Sequence, residues 1–185
     1  MPSDILAFWF GPAPHAERGE WFRKDPVFDA EIRARFGDRI ETALAGGFVD
    51  WEATPRGALA RVLLLDQFTR NVFRESPRAF AGDAEALATS QRALAAGFDR
   101  NLDRYERWFL YMPFVHAEDR TTQQRAVELF AELAAETGLT GPLEWAKRHA
   151  DVVASFGRFP HRNAILARAS TAEETAFLAR SGSRF

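Results

Sequence analysis

The sequence predicts an all-α protein, and three observations carry that prediction. Apolar residues recur at helical spacing in most segments. No stretch alternates apolar and polar residues over more than a few positions. Caps, prolines and glycines punctuate the chain at intervals that suit helices. Eight or nine helices joined by short loops are expected, which implies stacked antiparallel helix pairs. The 185 residues read as one helical domain over 1–185, long enough to bury a sizeable core. The 17 Phe and 5 Trp lean that core towards large rings, which fill the space between crossing helices.

Ser3 to Phe10 reads as a short helix, with Ser3 as N-cap and Gly11 as the stop. A Gly- and Pro-rich loop follows to about Glu20. Asp25-Pro26 is a cap with a first-turn proline. Phe28, Ile32, Phe36 and Ile40 then repeat every four residues and Leu44 continues the series, giving roughly 19 residues of amphipathic helix, about 29 Å long. Thr54-Pro55 repeats the cap-plus-proline signal. Ala58 to Leu65 is apolar except at Arg61, the mark of a central, buried helix. It runs into Asp66-Gln67-Phe68-Thr69-Arg70-Asn71, so a carboxylate sits where partners are needed.

A helix is expected from about Asp83 to Ala96, with Gly97 as its stop. Asp103 and Glu106 have capping spacing for the next, which carries Tyr105, Trp108, Phe109 and Tyr111. Pro113 should break it and leave Phe114 to Asp119 as a loop. A helix of about 17 residues then reaches Glu136, and Pro142 to Phe156 forms another, stopped by Gly157. Pro160 suits the first turn of a further short helix. Ser170-Thr171-Ala172-Glu173-Glu174 offers two overlapping capping boxes for the last one.

Composition excludes several functions. Net charge is −2, with both signs interleaved, so there is no basic stripe for nucleic acid. No apolar tract reaches 18 residues, so no membrane span is expected. Met-Pro-Ser-Asp lacks the basic start of a signal peptide, and no cysteine is present. A cytoplasmic protein is the plain expectation. GxGxxG, GxxxxGK[ST] and GxSxG are all absent, which removes support for nucleotide-dependent enzymes and standard serine hydrolases.

Three polar elements stand out. Asp66 and Arg70 are four apart on one helix face, in the favourable order for an ion pair. Either the pair seals a helix end, or Asp66 aims Arg70 at a ligand, since guanidinium grips carboxylate or phosphate through two hydrogen bonds. Gln67 and Asn71 belong to the same element. Arg158, His161, Arg162 and Asn163 form the second. Cations at a helix start make electrostatic sense if a negative ligand sits among them, or if Asp66 and Glu118 neutralise them. His116 and Glu118, two apart in an extended loop, would face one side and serve as acid and base, with His161 as a further candidate. Two ligands do not make a metal site and HExxH is absent, so no metal and no cofactor are assigned. Tyr111 is a ligand candidate through its hydroxyl, near the His116 loop in sequence. His15 and His149 look ordinary, His15 in a loop and His149 solvated. Phe68-Thr69-Arg70-Asn71 is faintly echoed by Phe159-Pro160-His161-Arg162-Asn163.

Several segments together carry a family resemblance. They are Leu63-Leu64-Leu65-Asp66-Gln67-Phe68-Thr69-Arg70-Asn71; Glu106-Arg107; Tyr111-Met112-Pro113-Phe114 with His116-Ala117-Glu118; Gly157-Arg158-Phe159-Pro160-His161-Arg162-Asn163; Ser170 to Glu174; and the opening Phe8-Trp9-Phe10. Nearly the whole chain resembles the bacterial family called domain of unknown function 924. The resemblance implies a tetratricopeptide-like α-α superhelix and no established activity. The sequence departs from the family at Thr69, where proline is favoured, and at Ala117, where serine is favoured. The first implies a softer turn, and the second removes a hydroxyl from the His116 loop. The expected function is binding of a small anionic molecule in an Arg/His/Asp pocket. The alternative is a scaffold that binds a peptide, its polar network purely structural.

Overall fold

The structure, a computed structural model, describes residues 1–180. Among these residues every regular element is helical: α1 (Pro2–Phe10), α2 (Pro26–Leu44), α3 (Pro55–Val62), α4 (Thr69–Val72), α5 (Asp83–Ala95), α6 (Arg104–His116), α7 (Arg120–Thr137), α8 (Gly141–Phe156) and α9 (Ala172–Leu178). The segment Leu63–Phe68 between α3 and α4 is π-helical. All three run on in helical backbone, so 55–72 is one rod.

That rod is the axis of the fold, because its sequence offers almost no polar face. Ala58, Leu59, Ala60, Val62, Leu63, Leu64 and Leu65 are all buried, and α1, α2, α5 and α6 pack around the rod. Each fully buried Leu here contributes roughly 1.5–3 kcal/mol. Helix α2 lays Phe28, Ile32, Phe36 and Ile40 against the core, the four-residue repeat read from the sequence. Rings from five segments meet in one mesh, with Trp9 centred 5.3 Å from Phe109 and 5.5 Å from Phe68. Helices α6, α7 and α8 follow one another and pack in succession. A smaller cluster of Val152, Val153 and Phe159 seats the C-terminal segment.

Caps decide most boundaries. The Asp25 carboxylate accepts from the N–H groups of Val27 and Phe28, Thr54 from Gly57, and Asp103 from Tyr105 and Glu106. Thr171 and Glu174 form the capping box of α9. Four expectations need correcting. Ser3 lies inside α1, which begins one residue earlier at Pro2. Pro113 does not break α6, which continues to His116. It lacks only one N–H donor, and α5, α7 and α8 pack on the helix to hold it. The Pro160 segment is a three-residue 3-10 turn, Pro160–Arg162, too short for the helix dipole invoked above. His149 is buried rather than solvated.

Candidate functional site

Asp66 sits on the π-helical segment and is fully buried. A π turn shifts the backbone hydrogen-bond pattern, and such turns are frequent at functional sites. Side chains one turn on serve the carbonyls there. The Thr69 hydroxyl donates to Leu65 O at 2.9 Å and Asp66 O at 3.1 Å, and Arg70 Nη1 donates to Asp66 O at 2.7 Å. Thr69 thus supports the turn through its hydroxyl.

The Asp66 carboxylate collects three partners. His116 Nδ1 lies 2.6 Å from Oδ1, Arg70 Nη1 lies 3.1 Å from Oδ1, and Gln67 Nε2 donates to Oδ2 at 2.6 Å. Burial opposes the charge on Asp66. The Arg70 guanidinium, then the His116 ring and the Gln67 amide, overturn that and hold the pKa well below the carboxylate range. Burial pushes the pKa of His116 down, aided by Arg70 and opposed by Asp66. The pair is therefore a carboxylate and a neutral imidazole. An ionised carboxylate only accepts, so Nδ1 carries the proton and Nε2 is the basic nitrogen.

Asp83 joins the two polar elements. It accepts from Arg70 Nη1 and Nη2 at 2.8 and 3.0 Å and from Arg162 Nη1 at 3.1 Å. Arg162 Nη2 also donates to His116 O at 3.0 Å. The two arginines of the faint sequence echo thus meet on one carboxylate. Gly82 makes this possible: a Cβ there would come within 2.2 Å of Leu65 O. Only glycine lets the start of α5 press against the π segment and set Asp83 beside Arg70. Arg162 has its pKa lowered to about 10, first by burial and next by Arg70, against the pull of Asp83.

His161 adjoins this cluster, its ring centred 5.6 Å from that of Phe159. Burial, then Arg162, lowers its pKa to about 4. His149 lies 6.4 Å from His116, ring to ring, and burial lowers its pKa to about 3. A second network is continuous with the first. Glu118 accepts from Arg168 at 2.6 and 2.9 Å and from Phe159 N at 2.7 Å. Burial opposes its charge, but Arg168 and the Phe159 N–H lower its pKa. Arg158 donates to Glu174 at 2.6 and 2.8 Å. Asn163 Nδ2 reaches Ser170 and Glu174, and its oxygen accepts from Arg168.

Asp66, Gln67, Arg70, His116 and Arg162 therefore converge, with His161, Glu118, Arg158 and Asn163 beside them. Two candidates do not join. Asn71 turns towards α2 and donates to Asp29 at 2.7 Å. The Tyr111 hydroxyl donates to Asp99 at 2.9 Å and accepts from Arg107 at 3.2 Å. It lies more than one helical turn before His116, and burial lifts its pKa to about 12. His116 itself ends α6 rather than lying in an extended loop, and it pairs with Asp66 while Glu118 pairs with Arg168. Asp83, Arg168 and Glu174 were not read as site residues. Acidic side chains in a first helical turn are so usual that Asp83 and Glu174 carried no separate signal.

Residues 5–182 match the family described as bacterial protein of unknown function (DUF924). A solved structure of a protein of unknown function from Agrobacterium tumefaciens is 39% identical and superposes with a TM-score of 0.88, covering 97% of each chain. No curated protein matches. The chain belongs to the DUF924 family of bacterial proteins.

Proposed function

We propose that this protein binds a small molecule carrying a carboxylate or phosphate, at the edge where Arg70, Arg162 and Asp83 meet beside His116. The observation that supports it is the sharing of one carboxylate by two guanidiniums, with the pKa of Arg162 depressed by burial and by Arg70. Two cations held against their own repulsion favour an added anion, and guanidinium suits its geometry. Asp83 then plays an anion already in place, against which the ligand competes or beside which it docks. If a reaction follows binding, His116 is its proton acceptor, because Asp66 fixes the ring and leaves Nε2 unprotonated. His161, kept neutral by burial, is the second candidate for proton transfer. Glu118 is engaged on both oxygens and serves to hold the segment that carries Arg162.

The test is a thermal-shift screen with inorganic phosphate and a panel of carboxylates and phosphate esters, on the native chain and on Arg162→Gln and His161→Ala. A ligand that binds only the folded state raises Tm by mass action. The expected result is a concentration-dependent rise that Arg162→Gln abolishes while its circular dichroism stays native. A screen in which no anion moves Tm, or in which Arg162→Gln responds like the parent, removes the reading.

A tetratricopeptide-like superhelix is also a proposal. It draws support from α6, α7 and α8, which are joined by the short connections 117–119 and 138–140 and pack in sequence. A peptide partner on that stack is the second reading of function.

A further inference from the structure

We infer that His15, Asp103 and Glu106 form a binding site for one divalent transition-metal ion of the zinc type. The argument starts from the capping box of α6. Asp103 spends Oδ1 on the N–H groups of Tyr105 and Glu106, and Glu106 returns Oε2 to the Asp103 N–H at 3.2 Å. The box fixes both carboxylates and leaves one oxygen of each for another use. Asp103 Oδ2 turns to His15 Nδ1 at 2.5 Å. Glu106 Oε1 is buried and, among the described residues, accepts no hydrogen bond. One ligand atom from each of the three residues lies within 4.8 Å of the others.

A buried carboxylate oxygen with no hydrogen bond calls for an explanation, and an ion is one of few available. The nearest cation is Arg56, whose Nη2 stands 3.3 Å away on a side chain that is 61% exposed. That guanidinium is free to swing out. The imidazole is not: it is nearly buried, stacked on Phe10 at 5.2 Å. One imidazole and two carboxylates suit a borderline divalent ion and neutralise its charge. Such an ion draws its ligand atoms to about 3.3 Å from one another, a small contraction for a histidine carried on the loop between α1 and α2. An entry route exists as well. A cavity of about 440 Å³ is lined by His15 and Arg56 together with Ser3 and Gly11.

The test is calorimetric titration of the full chain with zinc, manganese and magnesium chlorides. One zinc ion per chain is expected, with manganese weaker and magnesium weaker still, the order that imidazole and carboxylate donors impose. His15→Ala should lower zinc affinity by roughly tenfold or more. Arg56→Ala should raise it, because the competing guanidinium is gone and no ligand is touched. The inference is overturned if zinc does not bind, if His15→Ala binds it unchanged, if magnesium binds equally well, or if Arg56→Ala weakens the site. Since the cap stays intact in both variants, near-native circular dichroism separates loss of ligand from loss of fold.

Discussion

Two arginines on the same central rod, fully buried Arg61 and part-buried Arg70, show how differently one side chain can be used. Arg61 on α3 is fully buried and lies in ordinary α-helix. Its Nη1 is met by Glu52 at 2.5 Å, Glu85 at 2.8 Å and Thr89 at 2.6 Å, and its Nε by Gly47 O at 3.0 Å. Two carboxylates there meet one buried guanidinium, and solvent-facing Arg92 reaches both of them as well. Around Asp83 two guanidiniums, Arg70 and Arg162, meet on one carboxylate, beside a π turn and a histidine held by a second aspartate that also pairs with Arg70. Each region leaves one buried guanidinium nitrogen without a hydrogen bond among the described residues, Nη2 of Arg61 in the first and Nε of Arg162 in the second, so orphaned donors do not tell the regions apart. Repulsion does: Arg70 lowers the pKa of Arg162. The first region fastens helices, and the second holds two guanidiniums close together against their repulsion.

The largest expected effect falls on the fastener. Arg61→Met strips two carboxylates of a buried partner and should cost about 3–5 kcal/mol in urea unfolding. Arg70→Met, at a side chain 20% exposed, should cost clearly less, about 1–3 kcal/mol. Equal losses would erase the distinction drawn above.

Acid provides the next separation. His116, His149 and His161 all have lowered pKa values in the fold, with His149 about 3 and His161 about 4. Each binds its proton more readily in the unfolded chain. Their neutral forms leave stability intact above pH 6.5, and stability is lost as pH falls from there towards the folded pKa. The slope is up to about 1.4 kcal/mol per pH unit per histidine. The Arg61 region has no histidine. Its Glu52 and Glu85 have lowered pKa values through Arg92 and Arg61, chiefly by hydrogen bonding, so the stability they contribute is intact above about pH 4.5 and is lost only below it. Urea midpoints between pH 8 and 4 should therefore decline from about pH 6.5, and His149→Gln should flatten the decline. A flat profile down to pH 5 would mean that these imidazoles titrate normally.

Binding separates the regions once more. Asp83→Asn removes the internal anion while keeping its shape and should tighten phosphate or carboxylate binding by about tenfold, or 1.4 kcal/mol. The same variant is expected to melt lower without ligand. Weaker anion binding in Asp83→Asn would show that the carboxylate organises the arginines for a ligand rather than standing in for one.

Much of this is legible in the sequence. Asp25, Thr54, Asp103 and Thr171 cap where their side chains say they should, because a capping bond is local and needs only a few residues of context. The apolar run around Arg61 revealed a central helix for the same reason. Residue type and spacing mark Asp66, Arg70, His116 and Arg162, which meet, but they mark Asn71 and Tyr111 equally, and these turn to Asp29 and Asp99 instead. What escaped was set by distant neighbours. Pro113 stays helical because α5, α7 and α8 enclose it. His149 is buried by partners outside its own helix. Asp83 meets Arg70 because Gly82 admits Leu65 O, and the π turn depends on hydroxyl and guanidinium groups one turn away. His15 looked like loop filler, since Asp103 is 88 residues distant.

The smallest effect is the most informative check on the fastener. Arg92 grips Glu52 through two nitrogens, at 2.6 and 2.8 Å, and also reaches Glu85 at 3.0 Å. By contact number it rivals Arg61. Its side chain is 51% exposed, however, so water already solvates the charge and salt screens the pair. Arg92→Gln should cost less than about 1 kcal/mol, and the difference from the parent should shrink further at high salt. Arg61 still answers Glu52 and Glu85 in that variant, whereas loss of Arg61 leaves those carboxylates only Arg92, whose charge water already solvates. A cost for Arg92→Gln that matches Arg61→Met and persists at high salt would mean that Glu52 needs both cations at once. The fastener would then be a three-charge unit, with the solvent-facing arginine as essential as the buried one.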